Sequence, residues 1–423
     1  MTAVVRIPSL DDLAVAGKKV LLRVDINSPI DPKTGRIADF NRIDKSLPTI
    51  RDLADRGARL VLIAHQGDTL DYHNLIDLAQ HAAALSGRLG RPVGFVDDVA
   101  GPAARRAIKA LGDGDVLLLD NLRYLTEEVS TFERDVKLTP QQMAGTYLVR
   151  NLAPLFDYYV NDAFAAAHRA SPSMVAFQEV LPTAAGRLLM AEIDALTAVS
   201  DAPLRPCLYL LGGLKISDAF DMLGKVLTDG TADEVLTAGI TGQVFLLAQG
   251  VALGEPSERF IRDRNLEGFV AQAKQHLASH AGAIRVPLDV AVEADGKRVE
   301  VAVEDLPTEH LIVDIGSRTS AAYAEAIGEA ATVFVNGPPG AYENPNADAG
   351  TRALWQALAD TPAHTVVGGG DTVSSAKRFI DTGRIDVVST GGGALIRYLS
   401  GKPLPLIEAM RAAAERFWEH RAG

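Results

Sequence analysis

Short apolar runs separated by amphipathic stretches organise this chain. In its first half, Val20–Val24, Leu60–Ile63, Val116–Leu119 and Tyr158–Val160 are mostly apolar and of strand length. Such runs are expected of parallel strands buried on both faces. Between them, Leu47–Arg56 and Leu75–Leu85 place apolar residues at helical spacing. The alternation predicts a doubly wound α/β domain whose ligands sit beyond the carboxyl ends of its strands. Residues Ala184–Ser200 also show helical spacing and have no strand pattern beside them. They predict a helix leading from one domain to the next, with an ordinary crossover helix as the alternative. A second α/β half follows, with Leu208–Leu211, Val235–Leu236, Val333–Val335, Thr365–Val367 and Val387–Val388 as strands. Pro405–Trp418 carries Ile407, Met410, Ala414, Phe417 and Trp418 near helical spacing, an amphipathic helix with a stripe to bury.

The residues at the predicted strand ends differ between the halves. The first half offers Asp25, Asn27 and Arg42, then His65, then Arg123, then Asn161, Asp162, His168 and Arg169. Taken singly, each arginine is more often a surface ion pair than a ligand. Several cations converging from separate strand ends suit a small, multiply anionic ligand, because guanidinium forks match carboxylate and phosphate. The second half instead offers glycines: Gly212-Gly213 ahead of Lys215, Gly239 and Gly242, Asn336 to Glu343 (NGPPGAYE), Gly368-Gly369-Gly370 with Asp371-Thr372, and Gly391-Gly392-Gly393. One such turn reads equally as a tight βα connection. Two triple-glycine turns within His364–Ser400 favour phosphate held at helix starts, where backbone N–H groups are free and the dipole is positive. Neither a P-loop nor a G-x-G-x-x-G fingerprint occurs, so a dinucleotide oxidoreductase is set aside.

Composition narrows the class. Of 423 residues 47% are hydrophobic and 23% charged, and 42 basic against 54 acidic residues give a net charge of −12. That balance argues against nucleic acid or an anionic membrane as main partner. Cys207, the only cysteine, permits no intrachain disulfide and reads as a small buried hydrophobe. The N-terminus shows no signal-peptide pattern and no run reaches membrane-span length, so a cytoplasmic protein is expected. The histidines and cysteine form no metal-ligand cluster.

Taken together, RVDINSP with NRIDKSLPTI, the apolar run into AHQ, LLLDNLRY, YVNDAFAAAHRA, LGGLKISD, FVNGPPGAYE, VVGGGDT and VSTGGGA resemble the phosphoglycerate kinase family, in that family's order, from about Lys18 to Met410. AHQ, FVDDVAGPAAR and a GGLK helix without a second lysine are most similar to its archaeal-type branch. The resemblance implies two doubly wound parallel-sheet domains joined by a hinge helix. The expected bounds are 1–183 with the returning helix 405–423, and 184–404. It also implies reversible transfer of the ATP terminal phosphoryl to the carboxylate of 3-phosphoglycerate, giving 1,3-bisphosphoglycerate, a step of glycolysis and gluconeogenesis. Carried over by position, Asp25, Asn27, Arg42, His65, Arg123 and Arg169 bind the acid. Gly212, Gly213, Lys215, Asn336, Glu343, Gly368, Gly369, Gly370, Asp371, Thr372, Gly392 and Gly393 bind ATP or ADP. Asp371 holds Mg²⁺, Arg42 and Lys215 are the expected catalytic residues, and the two domains close around the substrates. A monomer is expected.

Two positions depart from the family pattern. Ala219 stands where many members have a second lysine. More seriously, His65-Gln66-Gly67-Asp68-Thr69 puts an aspartate where the family's His-x-x-Arg-Pro has an arginine for the substrate phosphate. Three readings compete. Asp68 turns outward while His73 or Lys33 substitutes; phosphoglycerate binds weakly; or the acceptor is a different small acid, making the protein a paralogous carboxylate kinase. A nucleotide-binding protein without catalysis is the further alternative.

Overall fold

The computed structural model describes residues 6–68, 73–201 and 203–418; Thr69 and the end of the expected C-terminal segment, 419–423, lie outside them. The chain divides into two compact units, Met1–Ile193 with Pro403–Gly423, and Asp194–Lys402.

The first unit is built on a parallel sheet. Its strands are β1 (Lys19–Arg23), β2 (Arg59–Ile63), β3 (Val93–Val96), β4 (Val116–Leu119), β5 (Tyr158–Asn161) and β6 (Thr183–Ala185), in the order β3-β4-β2-β1-β5-β6. The chain winds to one side from β1 to β2 and resumes on the other at β5. A crevice therefore opens beyond the ends of β1 and β5. The helices Asn41–Asp55 and Ala79–Leu89 cover one face, and Ile43, Ile50, Leu53, Ala82 and Leu85 enter its core.

Residues 184–200 correct the sequence reading. Thr183–Ala185 is the edge strand β6, paired with β5, and the helix starts only at Arg187 and runs to Ser200. Periodicity does not separate a three-residue strand from the helix that follows it. The helix Pro405–Phe417 belongs to the first unit, where it packs on β6 and on the short helices Pro172–Val175 and Phe177–Glu179. Leu406, Ile407, Met410 and Ala414 are buried there, while Trp418 is partly buried.

The second unit has two sheets. Its strands are β7 (Cys207–Leu211), β8 (Glu234–Thr237), β9 (Ile284–Arg285), β10 (Asp289–Ala294), β11 (Lys297–Ala302), β12 (Ile312–Ile315), β13 (Thr332–Asn336), β14 (His364–Gly368) and β15 (Val387–Val388). Six of them form a parallel sheet in the order β15-β14-β13-β7-β8-β9. Here the winding reverses between β7 and β13, so the crevice of this unit lies at their ends. The other three, β11-β10-β12, form a small antiparallel sheet that the apolar pattern did not reveal. Cys207 is fully buried, and burial pushes its thiol up to about 12, so it is a core residue and not a nucleophile.

Candidate functional site

In the first unit the candidate residues meet beyond β1, β2 and β4. Asp25 accepts from Arg42 Nη1 at 2.6 Å and from the Asn27 N–H at 3.1 Å. Burial alone would raise the Asp25 carboxyl, but the charges around it, Arg42 first, hold it below the ordinary carboxylate range. It is therefore ionised and fixes the Arg42 guanidinium, which remains 38% exposed and able to meet a ligand.

Arg23, missed by sequence reasoning, ends β1 with its guanidinium inside the site. Its Nη2 donates to His65 Nδ1 at 2.7 Å and its Nη1 to the Val24 carbonyl at 2.5 Å. Burial, reinforced by Arg23, keeps His65 well below its ordinary value of 6.5, so the ring is neutral at pH 7. A neutral imidazole that accepts at Nδ1 carries its proton on Nε2. That N–H faces the Asn27 amide nitrogen at 3.4 Å, donor against donor. The Asn27 Oδ1 is already taken by the Gly67 N–H at 3.0 Å. The pair thus presents N–H groups with no mutual acceptor, an arrangement suited to an incoming oxygen.

Arg123 and Arg169 complete the cluster, and each holds a carboxylate. Arg123 Nη1 lies 2.9 Å from Asp68 Oδ1, and Ser130 Oγ donates to Asp68 Oδ2 at 3.2 Å. Arg169 Nε donates to Glu133 Oε2 at 2.7 Å. Asp68 therefore does not turn outward: it lies on one of the expected ligand-binding arginines. Burial depresses Arg123, and the nearby Arg169 charge adds to this. The Arg123 charge also bears on His65, so these groups share one electrostatic environment.

Asn121 holds this corner in register. Its Oδ1 accepts from the N–H groups of Gln66 and Arg123, both at 3.0 Å, and its Nδ2 donates to the Gln66 and Ile76 carbonyls at 2.9 and 2.8 Å. One buried amide thus sets the backbone leading to Asp68 and the backbone of Arg123. Asn121 was passed over because an asparagine after a strand also reads as a turn residue. Arg23 did carry a signal, a lone charge inside the apolar run Val20–Val24.

In the second unit the glycine turns wall a cleft of about 420 Å³. Gly212, Gly213 and Lys215 beyond β7, Gly239 beyond β8, Asn336 and Glu343 beyond β13, Gly369 to Thr372 beyond β14, and Gly392 and Gly393 beyond β15 all line it. The glycines are required where β7 and β13 part. A Cβ on Gly337, whose φ is +88°, would lie 2.2 Å from the Gly212 carbonyl oxygen. With glycine there, the Gly212 N–H donates to the Asn336 carbonyl at 2.9 Å and the Gly213 N–H to Pro338 at 2.8 Å. Thr372 Oγ1 accepts from the Gly337 N–H at 2.8 Å and Asn336 Nδ2 donates to the Gly368 carbonyl at 3.0 Å, tying the β13 and β14 turns together.

Gly368 itself does not line the cleft. A Cβ there would meet Leu395, so it serves the packing of the helix Gly393–Leu399. Asp371 sits exposed in the first turn of the helix Gly370–Phe379, and Lys215 is exposed just ahead of the helix Ile216–Thr228.

The family profile described as phosphoglycerate kinase matches residues 10–402 of this chain. The chain belongs to the phosphoglycerate kinase family. Its archaeal relatives include the curated phosphoglycerate kinase of Methanothermobacter thermautotrophicus, 44% identical over 402 residues, with 95% of this chain and 96% of that one covered. That of Halobacterium salinarum is 42% identical over 407 residues, covering 96% of this chain and all of that one. Among solved structures, the phosphoglycerate kinase of Pyrococcus horikoshii superposes with a TM-score of 0.87 at 37% identity, covering 97% of this chain and 100% of that one. Within a phosphoglycerate kinase fold, the two departures take different meanings. Ala219 is fully buried on the apolar face of its helix, so the missing lysine leaves a packed position. Asp68 stands inside the cationic cluster.

Proposed function

We propose that the chain transfers the terminal phosphoryl group of ATP to the carboxylate of 3-phosphoglycerate and catalyses the reverse reaction. The observation that carries this reading is the pairing, in one chain of this family, of a guanidinium cluster beyond β1, β2 and β4 with a glycine-walled cleft bearing Lys215 and Asp371. The acid would lie against Arg42, Asn27 and His65, with its phosphate towards Arg123 and Arg169. Asp25 would orient the Arg42 guanidinium beside the carboxylate, and neutral His65 would donate its Nε2–H to a substrate oxygen. The nucleotide phosphates would rest on the N–H groups that open the helix Gly370–Phe379, with Glu343 towards the ribose. In the transfer, a carboxylate oxygen forms a bond to the terminal phosphorus while the bond to the bridging oxygen of ADP breaks. Such a step calls for alignment and charge neutralisation rather than acid–base chemistry. Lys215, exposed at the cleft, would neutralise charge on the transferring group.

Mg²⁺ fits the residues present. Asp371, exposed in the first turn of the helix Gly370–Phe379, lines the cleft, and Mg²⁺ is commonly held by one or two carboxylates together with phosphates. Asp371 would supply such a carboxylate, and the ion would neutralise phosphate charge. The reading includes a cytoplasmic, monomeric enzyme. Among the described residues no helix is long and apolar enough to cross a membrane.

The test is a coupled assay of the purified protein with ATP, Mg²⁺ and millimolar 3-phosphoglycerate. Turnover that Lys215→Ala reduces at least a hundredfold is expected. Absence of ATP consumption in the wild-type protein overturns the reading.

A further inference from the structure

We infer that Asp68 is an intramolecular competitor for the phosphate end of the acid substrate, and thereby sets this enzyme's affinity for it. The inference rests on the function proposed above. The guanidinium cluster already contains two carboxylates in anion positions. Asp68 lies 2.9 Å from Arg123, and Glu133 holds Arg169 at 2.7 Å. Ser130 and Glu133 both belong to the helix Ser130–Val136, so one element braces both carboxylates.

Asp68 is not loosely placed. The Gly67 turn before it adopts φ +70° and presses on Asn74, where a Cβ would come within 2.4 Å of the backbone. The Gly67 N–H is held by Asn27, and Gln66 is locked to Ser28 and Asn121. The Asp68 carboxylate thus starts from a fixed backbone and reaches the guanidinium of Arg123, a residue whose backbone N–H is held by Asn121. The pair is asymmetric. The Arg123 side chain is 6% exposed and cannot leave, whereas the Asp68 side chain is 47% exposed and can swing into water.

An arriving phosphate dianion would therefore face two consequences of Asp68. It must replace that carboxylate on Arg123, and it meets a like charge beside its own. A half-exposed ion pair is an affordable one to break, so the outcome is weakened binding and not exclusion. The effect falls on capture of the substrate's phosphate. The carboxylate that reacts is met by Arg42, Asn27 and His65.

The test compares wild-type protein with Asp68→Asn, which removes the charge and keeps an oxygen to accept from Ser130. Inorganic phosphate is titrated calorimetrically into each, and steady-state kinetics are measured with 3-phosphoglycerate. We expect phosphate to bind about tenfold more tightly to Asp68→Asn, and KM for the acid to fall by a similar factor with a much smaller change in kcat. Ser130→Ala, which frees Asp68 from its brace, should move KM two- to threefold in the same direction. Phosphate binding that is unchanged, weaker or undetectable in both proteins overturns the inference. So does a higher KM in Asp68→Asn, which would make the carboxylate a support for Arg123. Tighter phosphate binding without any turnover by either protein would sustain the competitor role and overturn the proposed reaction instead.

Discussion

Replacing Asn121 by alanine tests whether one amide organises the anion-binding corner. The side chain is fully buried and makes four hydrogen bonds, to two N–H groups and two carbonyls of Gln66, Arg123 and Ile76. Truncation leaves all four without that partner. A buried polar group stripped of its partner costs about 1–3 kcal/mol. Simple addition overestimates the loss, because a space of amide size with several polar walls can admit a water. We therefore expect a net destabilisation of about 3 kcal/mol. Urea unfolding supplies the total, and native-state hydrogen exchange localises it to the amides of Gln66 and Arg123. Because the same bonds position Asp68 and the Arg123 backbone, KM for the acid should also shift. A loss under about 1 kcal/mol at unchanged m, with exchange at those two amides unaltered, would refute the reasoning.

Three further outcomes are expected. Gly337→Ala must adopt φ +88° and displace the Gly212 carbonyl from 2.2 Å, so a loss of about 2–4 kcal/mol and a raised KM for ATP are expected; wild-type stability in urea would disprove the close approach. His81, buried with Nε2 on Gln66 Oε1 at 3.0 Å, is lowered by burial from 6.5 to about 4. The unfolded chain then binds a proton near pH 6.5 that the folded one refuses until about pH 4, so stability falls as pH drops through that window, by up to ~3 kcal/mol. His81→Gln should flatten the dependence by about one proton, and an unchanged slope would count against it. Lys215→Ala should lower kcat by about 10²–10³-fold while leaving the melting temperature nearly unmoved, because the side chain is exposed; a large drop in melting temperature would show a structural role.

The parts of this molecule that were legible beforehand are those in which one physical demand dominates. A parallel strand buried on both faces must be almost wholly apolar, and β1, β2, β4, β7 and β13 stand where such runs predicted them. Glycines at strand ends were legible because a cleft wall at β7 and β13 admits no Cβ. The antiparallel sheet was passed over although Asp295-Gly296, both at positive φ between alternating strands β10 and β11, is a strong hairpin signal. Its outer strand is largely exposed, so it offered no apolar run. The cationic cluster was legible as a set of arginines but not as a set of pairs. Nothing in the spacing of Glu133 or Ser130 says that they reach Arg169 and Asp68 across the fold. Arg23 shows the converse: the residue was visible, but its partner, His65, comes from beyond the end of the neighbouring strand β2.

The helix Pro405–Phe417 has a consequence for how the chain comes into being. It completes the first unit by burying Leu406, Ile407 and Met410, each worth about 1.5–3 kcal/mol of transfer free energy before entropy is counted. Its Leu406 N–H donates to Ala167, and Arg416 binds the Gln178 carbonyl and Glu179. During synthesis on the ribosome, all of Asp194–Lys402 emerges before this helix does. The unit whose strands are translated first is therefore completed only after the second has emerged, and until then it carries an open apolar seam beside β6. A nascent chain halted before Pro403 should be a substrate for chaperones or proteases that the released protein escapes.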